Sequence, residues 1–97
     1  MIYVTAVITI KSDDASRTQM LELLGTLIPA TRKEDGCIRY DLHLSSEDSD
    51  TFLMLEEWRD KGNLVNHMQQ PHFLEFAAAS QSLLAAPFKI YQTTPVL

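Results

Sequence analysis

Hydrophobic and polar positions along this chain first read as a strand, then cycle with helical spacing, and then alternate in twos. Residues 2–11 are mostly β-branched and apolar (Ile2, Val4, Val7, Ile8, Ile10), which suits a central strand. Ser12-Asp13-Asp14 then offers N-cap side chains and early negative charge for a helix. Met20, Leu21, Leu24, Leu27 and Ile28 recur at helical spacing and give that helix one apolar face. Gly25 weakens it and Pro29 should kink it. Thr31 to Asp35 could form its last turn, with Gly36 as the stop.

The period returns to two from Cys37 to Leu44. Ile38, Tyr40, Leu42 and Leu44 fall on one side, and Arg39, Asp41 and His43 on the other. The polar run Ser45 to Asp50 reads as a turn, so Thr51 to Trp58 should return as the second strand of a hairpin. Phe52, Met54, Glu56 and Trp58 share one face of it, and Leu53, Leu55 and Glu57 the other. Asp60 can cap a short helix carrying Leu64, His67 and Met68. Pro71 suits the first turn of a further helix with His72, Phe73, Phe76 and Ala77 at helical spacing. Pro87 ends the helical region, and residues 88–93 form the last strand.

The order is βαββαβ, which predicts an α+β, ferredoxin-like domain over residues 1–97: an antiparallel sheet with helices on one face. The other face still carries apolar side chains that one subunit cannot cover. Two sheets packed face to face would cover it, so a homodimer forming a dimeric α+β barrel is expected. Ninety-seven residues with 45% hydrophobic content make a single domain with a thin core, which would also gain from a partner.

Charge narrows the choice of partner. Thirteen acids against eight scattered bases give a net charge of −5, which disfavours nucleic acid, since phosphate binding needs a clustered basic face. The single cysteine, Cys37, excludes an internal disulfide, and no Cys/His cluster has zinc-ligand spacing. The start of the chain lacks the features of a signal peptide, and no apolar run approaches the ~20 residues of a membrane span. A cytoplasmic protein is expected.

Chemistry concentrates between Glu56 and His72. His67 shares a helix face with Leu64, so its imidazole can point partly inward, where a pKa near 6.5 suits proton abstraction. The plainer alternative is a surface histidine, or a core one bonded to a backbone carbonyl. His72, beside a positive helix terminus, could donate to a substrate oxygen or simply face solvent. Glu56 is a candidate semi-buried acid that could orient an imidazole, and Trp58 a candidate aromatic wall or plain core filler. Tyr40 is a phenolic donor or a core ring. His43 reads as a surface or dimer-interface residue, and Cys37 as a small unreactive hydrophobe. No phosphate loop, metalloprotease, nucleophile-elbow or EF-hand pattern is present, so neither metal nor organic cofactor is indicated.

Lys33-Glu34-Asp35-Gly36-Cys37-x-x-Tyr40, then Glu56-x-Trp58, then Leu64-x-x-His67-x-x-x-Pro71-His72, resembles the antibiotic biosynthesis monooxygenase (ABM) domain. The similarity is greatest to its small quinol-monooxygenase-like members and covers nearly the whole chain. It implies a homodimeric α+β barrel with a pocket between sheet and helices. It also implies oxidation of quinols, phenols or related aromatics with O2, without metal or flavin. On this resemblance His67 is the base or hydrogen-bond partner. Met54, Trp58 and Phe76 line the pocket, Tyr40 and His72 are polar contacts, and Glu56 is a supporting acid. A haem-degrading branch of the fold family fits poorly, because the matching places hold Val7, His67 and Phe76 or Ala77. A branch that isomerises a phosphorylated signalling molecule shares the Pro-His element. Its phosphate would need a basic pocket, for which Lys33 and Arg39 are the nearest candidates. A third possibility is a non-catalytic ligand-binding or dimerisation module, with Trp58 and His67 packed without a cavity.

Overall fold

The computed structural model describes residues 1–97. Strand β1 (Ile2–Thr9) leads into helix α1 (Asp14–Arg32), followed by β2 (Cys37–Leu44), β3 (Thr51–Trp58), α2 (Lys61–His67), α3 (Pro71–Ser80), a 3₁₀ turn (Gln81–Leu83) and β4 (Lys89–Thr93). The four strands form one antiparallel sheet in the order β2-β3-β1-β4, the ferredoxin-like arrangement expected from the sequence.

Local signals set the element ends. Asp13 caps α1, its carboxylate accepting the Ser16 backbone N–H at 2.7 Å, and Asp60 caps α2 in the same way through Asn63 at 2.9 Å. Pro71 opens α3 at a position where a missing N–H costs nothing. Helix α1 runs on past Gly25 and Pro29 but stops at Arg32, short of the expected Asp35. Gly36, at φ +80°, makes the reversal into β2, and a Cβ there would collide with the Asn63 side chain.

The inner face of the sheet, carrying Val4, Ile8, Tyr40, Phe52, Met54 and Trp58, packs against Met20, Leu24 and Leu27 of α1 and Phe76 of α3. Three side chains depart from the apolar pattern. Ile38 is 52% exposed because an irregularity between Cys37 and Arg39 shifts the β2 register and breaks the alternation there. Leu44, at the strand end, and Leu21, on the outer flank of α1, are also exposed. The first strand closes at Thr9, and Ile10 makes an isolated bridge to Leu84. No helix is long and apolar enough to cross a membrane.

Candidate active site

The turn after α1, the C-terminus of α2 and the first turn of α3 meet over the β2–β3 end of the sheet. Their meeting point is one carboxylate. The Glu34 backbone N–H donates to Thr31 O at 2.9 Å, and Cys37 N–H donates to Glu34 O at 3.2 Å, so the turn is fixed on both sides. The Glu34 side chain is only 7% exposed, and its Oε2 lies 2.8 Å from His67 Nδ1 and 2.6 Å from His72 Nε2. Its other oxygen, Oε1, is buried without a partner.

His67, 2% exposed, is therefore a core histidine, yet it is bonded to a carboxylate where a backbone carbonyl was the plainer expectation. Glu34 holds Nδ1 as the protonated nitrogen, which leaves Nε2 as a lone-pair acceptor with no partner in the protein. Its ring lies 4.6 Å from the Trp58 ring, 5.4 Å from Tyr40 and 4.9 Å from Phe73, centroid to centroid. Burial lowers the His67 pKa, and the Glu34 hydrogen bond and charge only partly oppose that shift. The ring is thus held neutral and able to accept a proton.

A second buried carboxyl lies on β3. Glu56, 8% exposed, accepts the indole N–H of Trp58 at 2.9 Å through Oε1. Its Oε2 has no partner and is not sealed off from the adjoining space. Burial without a compensating cation pushes its pKa up to about 7. The Trp58 hydrogen bond works against this, and the Glu34 charge adds to it.

His67 and Glu56 both border a partly open cavity of about 310 Å³, lined also by Val4, Leu64, Met68, Phe73, Ile90 and Gln92. A smaller lobe of about 80 Å³ shares Glu56, Phe73 and Ile90 with it and runs to Tyr40, Met54 and Phe76. The larger lobe alone falls near the lower end of small-ligand sites, about 300–1,000 Å³. Neither lobe is lined by a lysine or arginine.

The expected site residues thus divide. Met54, Glu56, Tyr40, Phe76 and His67 reach the cavity. Trp58 does not line it. The indole, fully buried, stands behind Glu56 and His67, and its one donor is already taken by Glu56. His72, half-buried, faces Glu34 and not the cavity, because that carboxylate captures its Nε2. Tyr40 is 3% exposed, and burial pushes its pKa well above the ordinary tyrosine range, so it remains a neutral phenol. Cys37 is raised to about 11, chiefly by burial and then by Glu34, so it stays a thiol. His43 is exposed. Arg39 pairs with Asp41 and Glu57 on the outer sheet face, and Lys33 is exposed at the end of α1, so neither supplies a phosphate pocket. The residue that sequence reasoning passed over as a site group is Glu34. It was visible in the motif, yet its acidic neighbourhood read as a helix end.

Glu34, His67 and His72 are also the one group of metal-ligand type, their atoms lying within 4.8 Å of one another. The 2.8 and 2.6 Å separations are hydrogen-bond lengths. Donors around a tetrahedral zinc at bond lengths of roughly 2.0–2.2 Å stand farther apart than this. The cluster is built to orient imidazoles.

The family model described as antibiotic biosynthesis monooxygenase matches residues 1–79. The chain belongs to that family. It is 37% identical over 93 residues to an uncharacterised Synechocystis protein, sll1783, covering 94% of this chain but only 62% of that one. It is 33% identical over 93 residues to the Bacillus subtilis protein named "Putative monooxygenase YcnE", covering 96% of each. The Escherichia coli protein named "Probable quinol monooxygenase YgiN" is 26% identical over 87 residues, covering 81% of this chain and 84% of that one. A crystal structure of an antibiotic biosynthesis monooxygenase superposes with a TM-score of 0.91 at 27% identity, covering all of both chains. The names of the YcnE and YgiN relatives support a monooxygenase, and the solved structure shares this chain's fold.

Proposed function

We propose that this ABM-family protein is a cofactor-independent monooxygenase that oxidises a neutral quinol, phenol or related electron-rich aromatic with O2, and that it works as a homodimer. The observation that carries the reading is His67. Its Nδ1 is tied to Glu34 and its Nε2 is free beside a mostly apolar cavity, which is the arrangement of an oriented general base. An aromatic ring would lie among Phe73, Phe76 and Met54. Its phenolic or benzylic proton would pass to Nε2, and the imidazolium so formed would be stabilised by Glu34. The electron-rich anion would then give an electron to O2, and the dry surroundings would limit competing protonation. Tyr40 would wall the smaller lobe as a neutral ring. The lack of a lysine or arginine on the cavity disfavours the phosphorylated-substrate alternative. Trp58 is packed away from the cavity, as a non-catalytic module would have it, while His67 borders a space large enough for a small ligand.

The dimer is supported by the outer sheet face. Val7 pairs with Leu53 and Thr5 with Leu55 across β1 and β3 there, with Tyr3 and Tyr91 beside them and no element of the chain covering them. Light scattering at micromolar concentration should give twice the mass of one chain, and a single-chain mass would remove this part of the proposal. O2 uptake with menadiol or a dihydroxynaphthalene, corrected for autoxidation, tests the reaction. A folded His67→Ala protein should be slower by about 10²–10⁴-fold. No acceleration by the wild-type protein across such a panel would overturn the reading.

A further inference from the structure

Glu56 is left over by the oxidation just described, which needs only a base. It is nonetheless the sole carboxyl on the cavity wall, and both lobes meet at it. Its Oε1 is held by Trp58, whose ring also contacts His67, so the indole fixes acid and imidazole relative to one another. The acid–base atoms left free beside the larger lobe are one carboxyl oxygen of Glu56 and one ring nitrogen of His67, with the amide of Gln92 also on its wall. We propose that the cavity also enolises neutral aromatic ketones without O2, His67 removing an α-proton while the carboxyl of Glu56 gives its proton to the carbonyl oxygen. This rests on the same reading of the cavity as the binding site, but not on any reaction with oxygen.

The step balances within the protein and one ketone. The α-C–H bond breaks and its proton goes to His67 Nε2. The C–H electron pair becomes the C=C bond, and the carbonyl π pair takes the Glu56 proton as an enol O–H. An imidazolium and a carboxylate remain. Reversal returns both protons, and in D2O it leaves deuterium on the α-carbon. Two displaced pKa values suit this division of labour, since burial keeps the carboxyl protonated close to neutrality and the imidazole unprotonated. A carboxylic acid held neutral can donate a hydrogen bond to a carbonyl, and an anionic ligand would find no cation on this wall. The other titratable groups facing Glu56 are Glu34 from the turn after α1, His67 from α2, and Cys37 and Tyr40 from β2. Tyr40 stays neutral, and Glu34 favours the protonated form of Glu56.

Anaerobic exchange of the α-protons of 1-tetralone, 2-tetralone and 1-indanone in buffered D2O, followed by proton NMR, tests this. Wild-type protein should accelerate loss of the α-proton signal in at least one ketone by about tenfold or more over buffer. Glu56→Gln keeps an acceptor for Trp58 but has no acid proton. It should lose most of the acceleration, together with the fall in rate expected of the wild type as pH rises through about 7. A melting curve on the same samples confirms that the variant is folded, and Glu56→Asp, which keeps the acid, should retain part of the rate. No wild-type exchange above buffer with any of the three ketones overturns the inference, as does a Glu56→Gln protein that exchanges at the wild-type rate. Anaerobic exchange without O2 uptake on quinols would support enolisation and sink the monooxygenase reading. O2 uptake without exchange would do the reverse.

Discussion

Glu34 and Glu56 are two buried carboxyls at one site, and they are held in opposite ways. Glu34 receives two imidazoles on a single oxygen, at 2.8 and 2.6 Å. Glu56 receives one indole N–H at 2.9 Å and no cation, in surroundings that are mostly apolar. Imidazoles can take up positive charge and an indole cannot. Glu34 can therefore support a charged partner, while Glu56 relieves its own burial by holding a proton, its pKa pushed up to about 7. Similar burial thus gives two roles. One carboxyl organises bases, and the other is kept as an acid beside the space where a ligand would lie.

The largest effect should come from breaking the first arrangement. Glu34→Ala leaves the Nδ1–H of the almost fully buried His67 without an acceptor, and releases His72 from the same point. Leaving a buried neutral donor unpaired typically costs about 1–3 kcal/mol. A urea titration should show the midpoint falling accordingly, with the slope unchanged. His67 should also lose its fixed tautomer, so O2-uptake activity should fall with stability. A variant that loses activity but keeps its midpoint would show that Glu34 orients the histidines without holding the fold.

The opposite sign is expected at Glu56. Its carboxyl titrates near 4.5 in an unfolded chain and about 7 in the folded one. Between those values the folded state binds more protons, so stability is complete below pH 4.5 and declines as pH rises through 7. The decline attributable to this group is on the order of 3 kcal/mol. His67 acts the other way, because its lowered pKa removes stability as pH falls through 6.5. Glu56→Gln should therefore be more stable than wild type at pH 8, by up to that amount, and nearly equal to it at pH 4. Urea midpoints across this range would check it, and equal midpoints at pH 8 would remove the argument for a destabilised acid. A protein that is stabilised while its exchange activity falls would show stability given up for a functional group.

How far the sequence anticipated this contrast depends on which interactions are periodic. The face shared by Met54, Glu56 and Trp58 follows from strand alternation alone, and the inward turn of His67 follows from its spacing to Leu64. The same alternation failed at Ile38, because nothing in the pattern marks the irregularity between Cys37 and Arg39. Glu34 was hidden for a related reason. Its place depends on where α1 stops and on the left-handed turn at Gly36, so its contacts with His67 and His72 lie more than thirty residues away in the chain. The cavity walls contributed by Phe73 and Ile90 depend likewise on how α3 packs over the sheet and β4 joins its edge, which no local spacing encodes.

The smallest effect should come from Asp35, the next residue along. Its carboxylate meets Arg59 at 2.9 Å, a separation scarcely different from that between Glu34 and His67. Distance would rank the two contacts together. Exposure separates them, since the side chains of Arg59 and Asp35 are 56% and 79% exposed, against 2% and 7% for His67 and Glu34. Water and salt screen the surface pair, and two long side chains lose freedom in forming it. Arg59→Ala should leave the urea midpoint within error of wild type at both low and high ionic strength. It should also leave activity intact, because the Arg59 backbone N–H still bonds Gly36 O at 2.8 Å and keeps the turn in place. A clear loss in Arg59→Ala would mean that the turn is held by its surface ion pair as well, and that the contrast between Glu34 and its neighbour rests on something other than burial.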